Sequence, residues 1–179
     1  FNDESMGFSQ LCIKRADLKH AQDISKLINL TYRGDVGWTR ETHIIRGDRT
    51  NPHEIASALS NPEGHFFVAY QESRLISCIY VAKEMEQAYI GFFSVHPDFQ
   101  GEGLGKHMLE YAESFAKTHL KMTRFVMFVV AQRSELIAFY ERRGYLHTNR
   151  IEPYPEHLGI GIPKIEGLTI EYLEKVITL

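Results

Sequence analysis

The sequence predicts an α/β fold in which one mixed, mostly antiparallel sheet is flanked by helices. The first observation is size and composition, because 179 residues that are 44% hydrophobic and 24% charged are typical of one globular domain. The second is that segments with the two-residue period of strands alternate with segments of helical period. The third is that three strand-like segments follow one another directly, as in an antiparallel meander.

The chain begins with a segment that precedes the predicted domain. We expect residues 1–10 to be disordered or left over from cloning, since Phe1 stands where a natural chain would begin with Met. The domain is accordingly expected to span residues 11–179. Its first strand candidate covers residues 11–15.

Two helices are predicted before the meander. Asp17 is placed to cap the first of them, which runs to about residue 33. Its apolar face has helical spacing: Ala21, Ile24, Leu27 and Ile28. Residues 34–50 begin with a glycine-rich break and continue as a polar, irregular segment. Pro52 then opens a second, shorter helix that ends near Asn61.

The meander consists of three segments rich in aromatic and β-branched residues. They cover residues 65–70, 75–82 and 88–95. Polar turns separate them, at residues 72–73 and around residues 84–86. Such short turns between strands predict antiparallel neighbours.

The second half of the chain returns to alternation of helix and strand. A third helix is indicated by apolar residues at helical spacing: Leu104, Met108, Tyr111, Ala112 and Phe115. Residues 125–130 are a continuous apolar run, as expected of a strand covered on both faces. Ser134 is expected to cap a fourth helix that stops at Gly144. Strands from Tyr145 and over 168–177 complete the order β-α-α-β-β-β-α-β-α-β-β.

Charge and cysteine content exclude several classes of protein. The formal net charge is −3, from 20 basic and 23 acidic side chains, so we expect neither nucleic acid nor membrane as a partner. No apolar stretch approaches the roughly 20 residues of a membrane span. Cys12 and Cys78 lie far apart in apolar strand-like segments and are expected to be buried free thiols. We therefore expect no metal site and a cytoplasmic location.

The segment between the meander and the third helix predicts an anion-binding site. Glycine is frequent in residues 100–105, directly before the helix begins. The first turn of a helix leaves about four backbone N–H groups without internal partners, and the helix dipole adds positive charge there. Glycines let a bulky anion such as pyrophosphate approach the backbone closely. The alternative is a glycine-rich turn that merely joins strand to helix.

The spacing of the glycines excludes two common nucleotide motifs. The dinucleotide pattern GxGxxG requires a glycine where Met108 stands. The P-loop pattern requires Gly-Lys to begin five residues after the first glycine, but the residue five places after Gly101 is Lys106 rather than glycine. The anion is therefore bound by some other arrangement.

This loop and two flanking segments resemble the GNAT family of N-acetyltransferases. Gln100-x-x-Gly103-x-Gly105 matches the family signature [Gln/Arg]-x-x-Gly-x-[Gly/Ala]. Residues 92–97 look like the end of the family's fourth strand, and residues 139–145 resemble a second conserved segment. The resemblance covers residues 11–179 and is strongest over 89–145. It implies the fold that the periodicity predicts.

The resemblance implies a set of residues for acetyl-CoA, the acyl donor. Backbone amides of the loop would bind its pyrophosphate: Gln100, Gly101, Glu102, Gly103, Leu104, Gly105 and Lys106. The main chain of Val95 would pair with the pantetheine arm, and its N–H would polarise the thioester carbonyl. Tyr140 matches the tyrosine that protonates the leaving thiolate. Arg133 stands where the family often has an asparagine that contacts pantetheine.

The resemblance leaves the general base and the acceptor site open. Histone-type members have a glutamate on the fourth strand, at the position that Tyr89 takes here. Glu86 is a candidate base in its place, as are Glu84 and His96. Each of them is equally compatible with an ordinary turn or strand-end residue.

Two further segments are candidates for the acceptor pocket. Trp38 and Glu41 lie between the first two helices, where an aromatic ring and a carboxylate could bind an amine. Trp38 could equally anchor its loop on the core. Residues 154–157 are a weaker candidate of the same kind.

The function implied by the resemblance is transfer of an acetyl group from acetyl-CoA to a primary amine. We expect direct attack in a ternary complex, a small-molecule acceptor and, in keeping with soluble proteins in general, a homodimer. One alternative is a coenzyme-A-binding sensor or interaction module without catalysis. Another is an acetyltransferase that acts on a protein or peptide. Whether the acyl group is acetyl or longer stays open.

Overall fold

The computed structural model describes residues 11–33, 45–155, 158, 160–164 and 166–178. Within these residues four α-helices are formed: α1 (Ala21–Arg33), α2 (Pro52–Ser60), α3 (Leu104–Thr118) and α4 (Ser134–Arg142). The strands are β1 (Leu11–Arg15), β2 (Ile45–Arg46), β3 (Gly64–Gln71), β4 (Arg74–Glu84), β5 (Gln87–Val95), β6 (Arg124–Val130), β7 (Leu146–Pro153), β8 (Ile162–Pro163) and β9 (Thr169–Val176).

Seven of the strands form one sheet in the order β1-β3-β4-β5-β6-β9-β7. Its neighbours are antiparallel except for β5 and β6, which run parallel. The predicted fold class is therefore confirmed. Among the described residues the short strands β2 and β8 pair only with each other, and no pattern in the sequence predicts them. Two residues are too few to show a strand period.

Helices cover both faces of the sheet because neighbouring residues of its strands point to opposite sides. Phe66 and Val68 of β3 pack in one core cluster with residues of α1 and α2. Phe67 and Ala69 pack in the other, with residues of α3. Burial on both sides is why β3 reads as a continuous apolar run rather than an alternating one.

A third, smaller core cluster lies beside β6 and β9. Its buried members are Ile45, Val130, Tyr154, Ile160, Leu168 and Ile170. It attaches the segment before α2 and the segment after β7 to the main sheet. These segments also form the two-stranded sheet of β2 and β8.

Two predictions of helix caps meet different outcomes. Asp17 does cap the chain's entry into α1, through the 3-10 turn Leu18–His20 and a hydrogen bond from the Lys19 N–H. The prediction that Ser134 caps α4 is wrong. Arg133 holds the cap position, because its N–H bonds to the Val130 carbonyl at 3.0 Å in the turn that leaves β6.

The two cysteines have different environments. Cys78 is fully buried, which raises the pKa of its thiol to about 12 and makes it unreactive. Cys12 is exposed, so its predicted burial is wrong. It lies on β1, which is an edge strand of the sheet and has no neighbour beyond it among the described residues.

Candidate active site

A gap opens in the sheet between β5 and β6. The two strands pair in parallel at Ala88 with Phe125 and at Tyr89 with Val126. Beyond that point their ladder ends within the described residues, although β5 continues to Val95. The second half of β5 therefore has an open edge on the side of β6.

A β-bulge accompanies this divergence. The pairing of β5 with β4 shifts register between Cys78 and Tyr80. Phe92 lies opposite this shift and has a φ of 49°, in the left-handed region that side chains rarely adopt. A bulge bends its strand and increases the local twist. It accounts physically for the way in which β5 leaves β6.

The main chain of Val95 faces the gap. The His96 N–H donates to the Ile76 carbonyl of β4 at 2.8 Å. Because successive residues alternate in direction, the N–H and C=O of Val95 point away from β4. The carbonyl accepts hydrogen bonds from Gln100 Nε2 at 2.9 Å and from Thr31 Oγ1 at 3.3 Å. The Val95 N–H therefore points to the open edge of β5, and its carbonyl is already hydrogen-bonded.

The glycine loop leads into α3 without a side-chain cap. Gly101 and Gly103 have φ values of 82° and 84°, and Gly103 is the N-cap residue. The first helical bond is from the His107 N–H to the Gly103 carbonyl, so the N–H groups of residues 104–106 have no partner within the helix. In α2, by contrast, the side chain of Asn51 caps the first turn. The start of α3 is thus suited to an external anion.

The gap and the glycine loop border one cavity of about 520 Å³. It is lined by eight of the predicted donor residues: Val95, Gln100, Gly101, Gly103, Gly105, Lys106, Arg133 and Tyr140. Glu102 is exposed beside it, and the side chain of Leu104 is buried in the core, so each would contribute only its backbone.

The charge of this cavity is positive. Its basic lining residues are Lys106, Arg133, Arg142 and Arg143, and no Asp or Glu belongs to the described part of the lining. Low-dielectric walls strengthen the attraction of such a cleft for an anion. Its shape and charge both fit a phosphorylated ligand.

Tyr140 is held firmly in the wall of the cavity. It is 5% exposed and in contact with three aromatic rings, those of Phe93, Phe139 and Tyr145. Burial raises the pKa of Tyr140 above its ordinary value, with an added contribution from Tyr32 and an opposing one from Arg133. The phenol is therefore protonated at neutral pH, the state that a proton donor requires.

A second, smaller cavity of about 60 Å³ adjoins the first. The residues that line both are Tyr32, Phe93, Arg133, Leu136 and Tyr140. Tyr89 lines the smaller cavity, where its ring stacks on Phe128 with centroids 5.6 Å apart. Burial raises the pKa of Tyr89, while Arg49 acts to lower it. The wall that contains Tyr140 thus lies between the larger cavity and the smaller one.

Comparison with known proteins identifies the family. The family described as "Acetyltransferase (GNAT) family" matches residues 22–145, which is more than half of the chain. The chain belongs to this acetyltransferase family. No curated protein matches the sequence significantly. The family match spans the glycine loop, the bulged strand and Tyr140.

Solved structures share the fold at low sequence identity. An IAA acetyltransferase from Bacillus cereus has a TM-score of 0.68 and 18% identity, over 93% of this chain and 99% of that one. The ribosomal-protein-S18-alanine N-acetyltransferase from Escherichia coli has a TM-score of 0.67 and 16% sequence identity, and the match covers 94% of this chain and 95% of that chain. The spermidine/spermine N-acetyltransferase SpeG from Vibrio cholerae has a TM-score of 0.65 and 16% sequence identity, and the match covers 94% of this chain and 93% of that chain.

Several predicted residues of this GNAT domain lie away from both cavities. Glu86 is exposed in the turn before β5, at the opposite end of that strand from Val95, and Glu84 is exposed at the end of β4. Neither lines a cavity. The ring of His96 contacts Arg74 at 3.2 Å and accepts from the Asp98 N–H at 3.1 Å, and it lines neither cavity.

The predicted acceptor segments are only partly described. Trp38 and Glu41 lie outside the described residues, as do Glu156 and His157. Tyr154 is buried, lines the smaller cavity and donates to the Ile160 carbonyl at 2.8 Å. It therefore anchors the loop after β7 as well as forming a wall.

Other lining residues carry no signal in the sequence that predicts a site. They include Thr31 and Tyr32 of α1, Arg49 of the following segment, and Phe128 of β6. Their sequence signals resemble those of ordinary helix and strand residues. Tyr32 follows Ile28 by four residues, and this spacing predicts only a place on the apolar face of α1.

Among the described residues, no group of three or more His, Cys, Asp and Glu side chains is arranged to bind a metal ion. The described helices include none that is both long and apolar enough to cross a membrane.

Proposed function

We propose that this chain transfers an acetyl group from acetyl-CoA to the primary amine of a small molecule, with both reactants bound together. The domain of residues 11–179 would carry the whole activity. The main support is that the Val95 N–H faces the same cavity that Tyr140 lines, next to an uncapped helix N-terminus. These are an oxyanion-type donor, an acid and an anion site.

The donor is proposed to bind in the larger cavity. Bound acetyl-CoA supplies the acetyl group as a thioester, whose C–S bond breaks as the C–N bond to the amine forms. Amides of residues 100–106 would hold the pyrophosphate, assisted by Arg142 and Arg143. The Val95 N–H would donate to the thioester carbonyl, where negative charge develops during attack.

Tyr140 is proposed as the general acid. Its phenol gives a proton to the departing sulfur, so that coenzyme A leaves as a thiol. The attacking amine loses one proton to solvent, and Tyr140 regains one from solvent. The sum of these steps is one amide and one thiol, with no net gain or loss of protons.

The acceptor is proposed to bind in the smaller compartment. Four members of the third core cluster line it, namely Val130, Tyr154, Ile160 and Ile170. Arg33 donates to the Ile160 carbonyl and the Tyr154 hydroxyl at 3.0 Å each. Such a covered compartment supports a small acceptor rather than a protein. No carboxylate belongs to its described lining, so we propose that the amine enters the reaction without a strand glutamate as base.

The lack of a strand glutamate as general base favours one competing function, a coenzyme-A-binding module without catalysis. Purified protein should release free thiol from acetyl-CoA when a panel of primary amines is supplied, and mass spectrometry should show the acetylated amine. Calorimetric binding of acetyl-CoA without turnover of any amine would favour the binding module. Release of thiol without an acetylated product would point to hydrolysis and contradict the proposal.

A further inference from the structure

The smaller cavity has an unusual lining for the binding of a cationic amine. Its aromatic members are Tyr32, Tyr89, Phe92, Phe93, Phe128, Tyr140 and Tyr154. Its charged members among the described residues are Arg33, Arg49 and Arg133, and no Asp or Glu accompanies them. Aromatic rings suit an apolar substrate body, whereas the arginines repel a second positive charge.

The ring faces that could attract an ammonium ion are partly taken by guanidinium groups. Arg49 Cζ lies 5.0 Å from the centroid of the Phe92 ring and 5.7 Å from that of Tyr32. Arg133 Cζ lies 5.6 Å from the Tyr32 centroid. A ligand cation would compete with these cation–π contacts. The aromatic lining is therefore a poor site for a polyamine.

Arg49 has hydrogen-bonding capacity left over. Its Nη1 atom is buried and has no hydrogen-bond partner among the described residues. Glu54 Oε1 forms an ion pair with Nη1 at 3.9 Å, a separation too long for a hydrogen bond, and Glu54 itself accepts from the Thr50 hydroxyl. A buried guanidinium N–H without an acceptor is unfavourable, and an anionic ligand group would remove that cost.

The backbone that carries Arg49 is fixed to α1. Asn29 Oδ1 accepts from the N–H groups of Arg49 and Thr50, at 2.8 and 3.0 Å. Asn29 Nδ2 donates to the Thr50 carbonyl at 3.0 Å. Three hydrogen bonds thus hold this position in place before any ligand binds. Such preorganisation reduces the entropy lost when a ligand group pairs with the side chain.

We propose that the acceptor is an amine that also carries a carboxylate, in the manner of an amino acid, and that Arg49 binds this carboxylate. The inference rests on the proposed function and specifies its substrate class. A guanidinium matches the planar carboxylate and forms charge-assisted hydrogen bonds with it. The positive surroundings also favour the neutral amine over the ammonium, and the neutral amine is the form that attacks. Arg49 therefore selects the acceptor and partly compensates for the missing strand glutamate.

The test compares amino acids with their decarboxylated amines, chosen to suit a cavity of about 60 Å³, for example glycine with methylamine, and includes spermidine as a polycation. We expect amino acids to exceed their decarboxylated partners by about 10- to 100-fold in kcat/KM, as for hydrogen bonds to a charged group. Arg49→Gln should abolish this preference, so that the ratio of kcat/KM for an amino acid to that for its decarboxylated partner falls to about one. Arg49→Lys should restore part of it, because the positive charge is retained.

Arg150→Gln is the matched control, since Arg150 is an exposed arginine of β7 that pairs with Glu152 and lines neither cavity. It should behave as the wild type toward every acceptor. Thermal unfolding of each variant shows whether it is folded. Faster turnover of decarboxylated amines or spermidine than of any amino acid would overturn the inference. Equal losses for both acceptors in Arg49→Gln would do the same.

A direct binding measurement separates this inference from the proposed function. Amino acids are titrated by calorimetry into protein saturated with coenzyme A, for the wild type and for Arg49→Gln. If acetyl-CoA binds but no amine is acetylated, the proposed catalysis fails. The carboxylate site then stands if the wild type binds an amino acid at least about tenfold more tightly than the variant does. It is refuted if neither binds, or if both bind alike.

Discussion

Tyr140 combines a buried ring with a hydroxyl at the wall between two cavities. Its burial raises the pKa of the phenol, so the proton-donating form persists through neutral pH and beyond the ordinary tyrosine value of about 10. A higher pKa weakens the acid, and an alkyl thiol is the stronger acid of the two, so the transfer depends on the position of the phenol beside the departing sulfur. The environment of Tyr140 thus suits a donor to sulfur better than it suits a nucleophile.

Removal of the Tyr140 hydroxyl tests this role. Tyr140→Phe should lower kcat by about 10²- to 10⁴-fold, because the thiolate would leave without a positioned acid. The affinity for acetyl-CoA, measured by calorimetry, should change little, since the ring keeps its contacts. Tyr111→Phe is the control, because Tyr111 lies on α3 and is 39% exposed. Unchanged turnover in Tyr140→Phe would remove the residue from the mechanism.

At the scale of elements, two glycines near the start of α3 have different backbone conformations. Only Gly103 has a left-handed conformation that requires glycine. Gly103 has a φ of 84°, whereas Gly105 lies within the helix. A Cβ at Gly105 would meet Phe93 and Phe139 at an ordinary contact distance of 3.5 Å. The two positions therefore form a matched pair for substitution by alanine.

We expect Gly103→Ala to lower the free energy of unfolding by about 1–2 kcal/mol, because alanine resists the left-handed region. Gly105→Ala should leave it unchanged or raise it by at most about 1 kcal/mol, since alanine favours a helix. Urea denaturation measures both. Equal effects of the two substitutions would show that the left-handed turn is not the feature that requires glycine.

The attachment of β7 depends on pH through His147. This side chain contacts Glu171 of β9 and, at 3.2 Å, Glu141 of α4. The hydrogen bond with Glu171 is the largest cause that raises the pKa of His147, and Glu141 adds to it. A raised folded-state pKa means that the stabilisation is fully present below the unfolded value and is lost as pH rises through the folded value.

His147→Gln should therefore lower Tm more at about pH 5.5 than at about pH 9, where the imidazole of the wild type is neutral. Differential scanning fluorimetry at both pH values measures the two shifts. A loss of Tm that is the same at both would show that His147 acts through packing rather than charge.

At the scale of the whole molecule, a buried polar cluster joins α3 to the C-terminal strands. Tyr145 is 0% exposed, and its hydroxyl donates to Glu113 Oε2 at 2.8 Å. Lys175 Nζ donates to Glu113 Oε1 at 3.0 Å. The cluster connects a helix of one face to β9 and to the residue before β7, so its loss should affect global unfolding.

Tyr145→Phe should reduce the free energy of unfolding by about 1–3 kcal/mol, because one oxygen of a largely buried carboxylate loses its donor. Urea denaturation, monitored by far-ultraviolet circular dichroism, measures this free energy. Tyr111→Phe again provides the comparison and should cost far less. If Tyr145→Phe lowers the free energy of unfolding no more than Tyr111→Phe does, water replaces the lost hydroxyl.

The sequence by itself determined the fold class, the meander and the glycine loop before α3, because these depend on periodicity, turns and local spacing. It also indicated Tyr140 and Val95 through the family resemblance. Tertiary structure alone decided which candidates meet. Glu86 lies at the opposite end of β5 from Val95. Arg49 lines the smaller cavity, although no local sequence pattern indicates this. Burial and distance depend on contacts between residues far apart in sequence, such as Asn29 with Thr50, and a linear pattern does not contain them.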